Sequence, residues 1–435
     1  MNINVLSIGG YDPTGGAGII ADAKTIKLLG CNPLTAITAI IPQNSLKVYS
    51  KVDLPKEEIE NQLNAIFEDF KVPVVKTGVL NNDAINLILK YQKEYNFKII
   101  CDPVLKSTTG YDFTEGNDNN LIDNYFKLFE KSLIITPNSE EYNIIKNFNA
   151  YEKLKNNNNY ILITGKDDKL IYKNKELRIF KGKTINREVH GTGCVFSSAI
   201  ASFIAKGYDI VHAIKEAKNL VLSSVIYANK TKYGYNSNPT YINKEVVIKN
   251  LNYAIYLLKK MDFEYFVPEV GSNIAEGLVL PKSYKDIAAL TGRIIKNKLG
   301  NTNNKGNKFY IVGDIEFGAS EHIAKIILAA NHYDPKIRSC MNIRYSKKLV
   351  NILENEDCGF TISSFNRKDE PEHVSSMEWG TKFACKIFGG APDIIYDRGG
   401  DGKEPMIRVL GNDSVDVIKK VAELIKIYKN INNRI

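Results

Sequence analysis

The residues of this chain best suited to chemistry lie in the stretch Val189-His190-Gly191-Thr192-Gly193-Cys194. Two glycines bracket a threonine and a cysteine follows. From Val195 to Lys206 the apolar residues Phe196, Ala199, Ile200, Phe203 and Ile204 recur at helical spacing, and Gly207 suits the left-handed position just past a helix end. The spacing predicts a tight turn at a helix N-terminus, where unpaired backbone N–H groups and the helix dipole favour an anion. Bare backbone at Gly191 and Gly193 lets a phosphate come close. A cysteine so placed is expected to have a depressed thiol pKa. A turn that holds a transferring phosphoryl group beside a base makes a kinase centre. The same residues also fit a plain helix start with a small buried cysteine, and a short glycine motif does not separate the two readings by itself.

Periodicity supplies the elements that must position this turn. Val5 to Ile8 reads as a buried strand, Gly9 to Gly18 as a glycine-rich loop, and Ile19 to Leu29 as a helix stopped by Gly30. The loop lacks the lysine and hydroxyl residue of a P-loop. Gly16 to Ala21 fits a dinucleotide fingerprint, but the second strand, Leu34 to Ile41, ends in Pro42-Gln43-Asn44 where an acidic residue is expected. Strands at Pro73 to Thr77, Lys98 to Cys101, Ser132 to Ile135 and Tyr160 to Ile163 alternate with helices such as Lys56 to Phe70 and Asp83 to Tyr95. Alternation of this kind predicts an α/β fold, a mostly parallel sheet sandwiched by helices. Ligands then bind beyond the carboxyl ends of the strands. Four polar clusters fall there: Lys76-Thr77-Gly78, Asp102-Pro103, Pro137 to Glu141 and Thr164-Gly165-Lys166. Gln43, with its two-faced amide at a strand end, is a candidate ligand contact, with Gly10 and Asp12 beside it. Asp102, Asn138 and Glu141 are oxygen donors suited to Mg²⁺ held largely through waters.

The polar stretch 230–239 reads as the boundary between a first domain, 1–240, and a second, 250–435. The second half has a different texture. Its polar motifs are Pro268 to Asn273, Thr291-Gly292-Arg293, Phe317 to His322, Met341 to Arg344, Met377 to Gly380 and Asp397 to Pro405, and 301–308 reads as a flexible loop. Gly318 to His322 precedes the apolar-periodic helix Ile323 to Ala330, a second helix start suited to an anion. Arginines 293, 338, 344, 367, 398 and 408 can supply bidentate phosphate contacts, with at least half expected in structural ion pairs.

At 435 residues the chain is long enough for two or three domains, and 44% hydrophobic content is ample for packed cores. The net charge of +9 is spread without a basic block, which argues against nucleic acid and for anionic substrates. The six cysteines stand singly, so zinc and dithiol chemistry are not expected. With no signal sequence and no bilayer-length apolar run, a cytoplasmic location away from membranes is the expectation. Homo-oligomerisation is left open.

Residues 1 to about 240 resemble the hydroxymethylpyrimidine/phosphomethylpyrimidine kinases of the ribokinase-like superfamily. The likeness rests on Gly9 to Gly18, Gln43-Asn44, Asp102-Pro103-Val104, Thr136 to Glu141 and His190 to Cys194. Most ribokinase-like enzymes carry an aspartate where this chain, like the pyrimidine kinases, has Cys194. Two features depart from that pattern: Pro42 replaces an alanine, and Thr164-Gly165-Lys166 lacks a lysine followed by two glycines. Residues from about 250 onward resemble the thiamine-phosphate synthase domain fused to this kinase in archaea. The resemblance implies a second α/β domain and a bifunctional thiamine-biosynthetic enzyme. It would use ATP and Mg²⁺ to phosphorylate the hydroxymethylpyrimidine and then its phosphate, and condense the diphosphate with thiazole phosphate. It implies Cys194 as catalytic base over an anion hole of Gly191, Thr192 and Gly193, with Arg293 and His322 catalytic in the second domain. That pair favours a synthase over a domain that merely senses thiamine phosphate. Cys194 and Gln43 disfavour a sugar, nucleoside or pyridoxal kinase.

Overall fold

The computed structural model describes residues 3–107, 110–113, 120–182, 185, 187–297, 309–355, 358–371, 375–400 and 402–433. The loop expected at 301–308 lies outside them. The chain divides into two compact units, Met1–Tyr241 and Ile242–Ile435.

The first unit opens with β1 (Asn4–Tyr11), α1 (Gly18–Leu28), β2 (Asn32–Ile40) and β3 (Val52–Asp53). It continues through α2 (Lys56–Asp69), β4 (Val74–Thr77), α3 (Asn82–Tyr95), β5 (Lys98–Cys101), α4 (Asn120–Lys131) and β6 (Ile134–Ile135). Then come α5 (Ser139–Lys146), α6 (Tyr151–Lys155), β7 (Tyr160–Ile163), β8 (Asp168–Tyr172) and β9 (Lys175–Phe180). It closes with α7 (Thr192–Ala205), α8 (Ile210–Ile226), β10 (Asn229–Lys230) and β11 (Tyr235–Asn236). One sheet runs β3-β2-β1-β4-β5-β6-β7-β8-β9. Its strands from β2 to β7 are parallel, and β3, β8 and β9 add antiparallel edges. The β8–β9 hairpin carries no glycine-led βα signal, and the sequence reading does not place it. The parallel strands are buried on both faces, as such sheets require. Leu6, Ile8, Val75, Ile99 and Ile135 join one core and Val5, Val74, Ile100 and Ile134 the other.

The second unit holds α9 (Lys244–Leu258), β12 (Ile274–Gly277), β13 (Ile287–Leu290), β14 (Ile294–Lys296), β15 (Phe309–Ile311) and β16 (Ile315–Phe317). After these come α10 (Glu321–Tyr333), β17 (Ser339–Arg344), α11 (Lys347–Asn355), β18 (Ile362–Ser364), α12 (Ser376–Phe388), β19 (Ile394–Asp397), β20 (Met406–Gly411) and α13 (Ser414–Asn433). Its main sheet, β16-β13-β12-β17-β20-β19-β18, is antiparallel except between β18 and β19. Alternate residues face opposite cores: Ile274, Ala288, Met341, Ile394 and Val409 one way, Ala275, Ala289, Cys340, Ile395 and Leu410 the other. Among the described residues no helix is long and apolar enough to cross a membrane.

Candidate functional site

Segments far apart in sequence build the cleft of the first unit. The register of β1 on β2 shifts between Gly9 and Gly10, two residues before the strand ends at Tyr11 and the glycine-rich loop continues. Asp12, 1% exposed, organises that loop. Its carboxylate accepts from Thr14 N at 2.8 Å, Thr14 Oγ1 at 2.8 Å and Ala17 N at 2.9 Å, and His190 Nε2 lies 3.7 Å away. Burial by itself would raise its pKa, but the contacts of His190, Thr14 and Ala17 outweigh it and hold the carboxyl below its usual value. Asp12 does border the cleft, yet its oxygens are turned to the loop rather than held out for a substrate.

Gly191 precedes α7 with φ of +86°, and a Cβ there would lie 1.7 Å from the Gly16 carbonyl oxygen. Only glycine lets the two loops pass so closely. The polar stretch expected to link two domains supports this crossing instead. His190 N donates to Tyr235 O at 2.8 Å, Ser237 N to His190 O at 2.9 Å and Ser237 Oγ to Gly16 O at 3.3 Å. Polarity there reflects backbone groups that need partners inside the unit.

The cleft, of about 560 Å³, brings together Gly10, Asp12, Gln43, Asp102, Asn138, Glu141, Gly191, Thr192, Gly193 and Cys194. Thr164 joins them, while Gly165 and Lys166 are exposed outside. The Gly-Thr-Gly turn starts a buried helix and borders the cleft. An apolar wall of Ile41, Val79, Phe113 and Val104 stands beside Gln43, a slot for a flat ring. Phe113 follows no periodic pattern and is not legible in the sequence.

The expectation for Cys194 is reversed. Desolvation pushes its thiol up to about 12, against the pull of the Lys76 ammonium, while Asp22 and Asp102 push it further. The helix start does not offset burial.

Beneath the turn lies a buried ionic network. Lys76, fully buried, pairs with Asp22 at 2.9 Å and lies 3.8 Å from Asp102. Burial alone would strip its proton, but Asp22 first, then Cys194 and Asp102, hold it above the usual lysine range. Asp22 also accepts from Ser7 Oγ at 2.6 Å and Ser198 Oγ at 2.7 Å, and Asp102 accepts from Ser197 Oγ at 2.9 Å. The sequence reading missed Asp22, although Asp22 shares a helical face with the buried Ile19 and Ile26, a polar residue on an apolar stripe.

Two of the oxygen donors named for a metal, Asn138 and Glu141, also shape the start of α5. Asn138 Oδ1 caps α5 by accepting from Glu140 N and Glu141 N, both at 2.9 Å, and Glu141 Oε2 accepts from Asn138 N at 2.9 Å. This reciprocal capping box occupies oxygens that were expected to face a cation. Among the described residues no group of three or more His, Cys, Asp or Glu is arranged to hold a metal. Asp102, buried at the cleft end of β5, sees its pKa raised by desolvation against the pull of Lys76. Burial first, then Asp102, pushes Glu141 up to about 8. Asp102 and Glu141 are thus neighbouring buried carboxyls that repel one another.

The second cleft, of about 540 Å³, gathers residues from nearly every polar motif of the second half. Val270, Gly271 and Asn273 line it with Arg293, Ser320, His322, Asn342, Met377, Lys403 and Glu404. Arg293 and His322 are exposed, and Arg293 Nη1 donates to Val270 O. The first turn of α10 has no side-chain cap, so its N–H groups remain for an anion. Asn273 and Asn342 fix the backbone of this cleft, with Asn342 Oδ1 accepting from Asn273 N at 2.7 Å. Of the six arginines, 293, 367 and 408 line the cleft. Arg338 pairs with the buried Glu276 at 3.3 Å, and Arg344 and Arg398 lie outside the cleft lining.

Comparison with known proteins agrees with this division. Residues 12–241 match the family model described as phosphomethylpyrimidine kinase, and residues 250–423 the one described as thiamine-phosphate synthase ThiN. The bifunctional thiamine biosynthesis protein ThiDN of Methanocaldococcus jannaschii is 60% identical over 98% of this chain and 99% of its own. The thiamine-phosphate synthase ThiN of Methanothermobacter thermautotrophicus is 35% identical over 42% of this chain and 95% of its own. The hydroxymethylpyrimidine/phosphomethylpyrimidine kinase of Aquifex aeolicus is 34% identical over 53% of this chain and 97% of its own.

Proposed function

The chain belongs to the family of bifunctional thiamine biosynthesis proteins that join a pyrimidine kinase to a thiamine-phosphate synthase, and from that premise we propose how its two clefts divide the work. The enzyme phosphorylates 4-amino-5-hydroxymethyl-2-methylpyrimidine twice with ATP, then condenses the diphosphate with thiazole phosphate to give thiamine phosphate and pyrophosphate. The observation that carries the division is that Gln43, Asp102 and the Gly191–Cys194 turn share one cleft while Arg293 and His322 share another.

In the first cleft the pyrimidine lies against Ile41, Val79 and Phe113, and Gln43 hydrogen-bonds its aminopyrimidine edge. The N–H groups of Gly191, Thr192 and Gly193 receive the transferring phosphoryl group at the start of α7. Mg²⁺, when bound with ATP, screens the phosphate charges, and Asp102 is placed to hold it. Phosphoryl transfer through a loose transition state depends mostly on positioning and electrostatics. Cys194 acts as base in its thiolate form, its own proton having passed to solvent and the charge being stabilised by the Lys76 ammonium, and it takes the alcohol proton late in the transfer. In the second cleft Arg293 stabilises the departing pyrophosphate, and His322 sits on the uncapped turn of α10 beside it.

Three variants measured in two separate reactions test this division. Cys194→Ala loses about 10²-fold or more of the first phosphorylation, the low end of general-base assistance, and still condenses supplied pyrimidine diphosphate with thiazole phosphate. Arg293→Ala and His322→Ala make the diphosphate and fail to condense it. Condensation lost in folded Cys194→Ala, or intact in the other two, overturns the division.

A further inference from the structure

The most deeply buried cation of the second cleft is neither Arg293 nor His322. Arg408, on β20, is 1% exposed and still lines the cleft. One terminal nitrogen, Nη2, lies 2.8 Å from Asp397 Oδ2 and 3.5 Å from the Met377 sulfur. The guanidinium plane is packed over the Phe365 ring, 5.1 Å from its centroid. The other terminal nitrogen, Nη1, is shielded from solvent and has no hydrogen-bond partner in the protein. An orphaned charged donor is costly, and native structures seldom leave one without a use.

Asp397 has nothing left to give it. Its carboxylate also accepts from Arg367 Nε at 2.6 Å, Arg367 Nη2 at 3.2 Å and Gly399 N at 2.9 Å. Two guanidiniums share one carboxylate, so the cluster keeps one formal positive charge inside the cleft. Arg367 lines the same cleft.

We propose that Arg408 and Arg367, aligned by Asp397, form an anion subsite on the floor of this cleft, where the unmatched positive charge of the pair receives a phosphoryl oxygen of a substrate. The proposal rests on reading this cleft as the site of condensation. That reaction joins two phosphorylated molecules, the pyrimidine diphosphate and thiazole phosphate. The cleft then offers two separate cationic elements for two anions: exposed Arg293 with His322, and the buried pair. The planar fork, held flat by Phe365 and Asp397, is suited to a tetrahedral oxyanion in a way a lysine is not.

The test is Arg408→Lys in the full chain, with condensation kinetics measured against each substrate and with unfolding followed in parallel. The expected result is a KM for at least one phosphorylated substrate raised about tenfold or more, the scale of a hydrogen bond between charged groups, at an unchanged melting temperature. Inhibition by inorganic pyrophosphate weakens in step if the floor holds the diphosphate, and is unchanged if it holds thiazole phosphate. If Arg408→Lys does not fold, Met377 decides. Met377→Glu places a carboxylate against Arg408 and raises the KM well above that of Met377→Gln. Wild-type KM values for both substrates in folded Arg408→Lys, or equal KM values in the two Met377 variants, overturn the proposal. Arg293→Ala distinguishes this from a failure of the underlying reading, since normal condensation in that variant removes the cleft from the reaction altogether.

Discussion

Each half of the molecule buries a three-membered ionic cluster under its cleft, and the two clusters are of opposite sign. In the first unit Lys76 stands between two carboxylates, Asp22 and Asp102. In the second, Asp397 stands between two guanidiniums, Arg367 and Arg408. The first leaves an excess of negative charge and the second an excess of positive charge. Anions are also handled differently. The kinase cleft offers backbone N–H groups at a helix start, and the synthase cleft offers side-chain forks as well. A buried cluster left one charge short of neutral is better read as half of a complex than as a stabilising ion pair, since burial of charge is costly unless every member is matched.

The strongest way to break this comparison is to remove each central residue. Lys76→Met leaves two buried carboxylates facing each other, and Asp397→Asn leaves two guanidiniums. Each is expected to cost its own unit ~3–5 kcal/mol, the usual penalty for orphaning a buried charge, measured by denaturant unfolding. A cost near zero in either variant means that its cluster is not bound together by charge.

Glu141 gives the next effect. Its folded pKa of about 8 lies above the ordinary 4.5, so the folded state favours the protonated form. That contribution is fully present below about 4.5 and fades as the pH rises through about 8. The first unit is therefore expected to melt lower at pH 8 than at pH 5, and Glu141→Gln to flatten the slope, as read by calorimetry at several pH values. Equal slopes in the two proteins would show that Glu141 is not the titrating group.

A smaller change sharpens the kinase side. Gln43→Leu removes one polar contact to the pyrimidine and is expected to weaken its binding roughly tenfold, about 1.4 kcal/mol, with nucleotide binding intact. Calorimetric titration with the pyrimidine alone checks it, and equal affinities exclude Gln43 as a ligand. The smallest effect belongs to the cap of α5. Asn138→Ala is expected to lower the stability of the first unit by ~1 kcal/mol, and the size of that loss separates capping from any further part in holding Mg²⁺.

The contrast between the halves also explains what could be read from the chain. The first cleft is built by short motifs at parallel strand ends, and His190 to Cys194, Gln43 and Asp102 carry their chemistry within a few neighbours. Asp22 escaped because its role depends on Lys76, 54 residues away. The thiol acidity of Cys194 was misjudged because a helix start is a local feature and desolvation is not. The capping box of Asn138 and Glu141 was not legible as such, because oxygen donors are chemically alike whether they cap a helix or hold a cation. In the second half an antiparallel sheet draws single residues from many loops, so Arg293 and His322 stood out only through family resemblance. Nothing local separates Arg408 from Arg338, and only the partners that folding brings tell them apart.

The crossing of the Gly16 loop with Gly191 has a consequence for synthesis of the chain. Ser237 reaches Gly16 across 221 residues, so the first and final turns of the kinase unit meet only after almost all of it has left the ribosome. The kinase cleft is thus completed late, just as the second unit begins to emerge. A break meant to separate the two activities must fall after Tyr241, because one made at 230 would release a kinase whose phosphate turn has lost its brace.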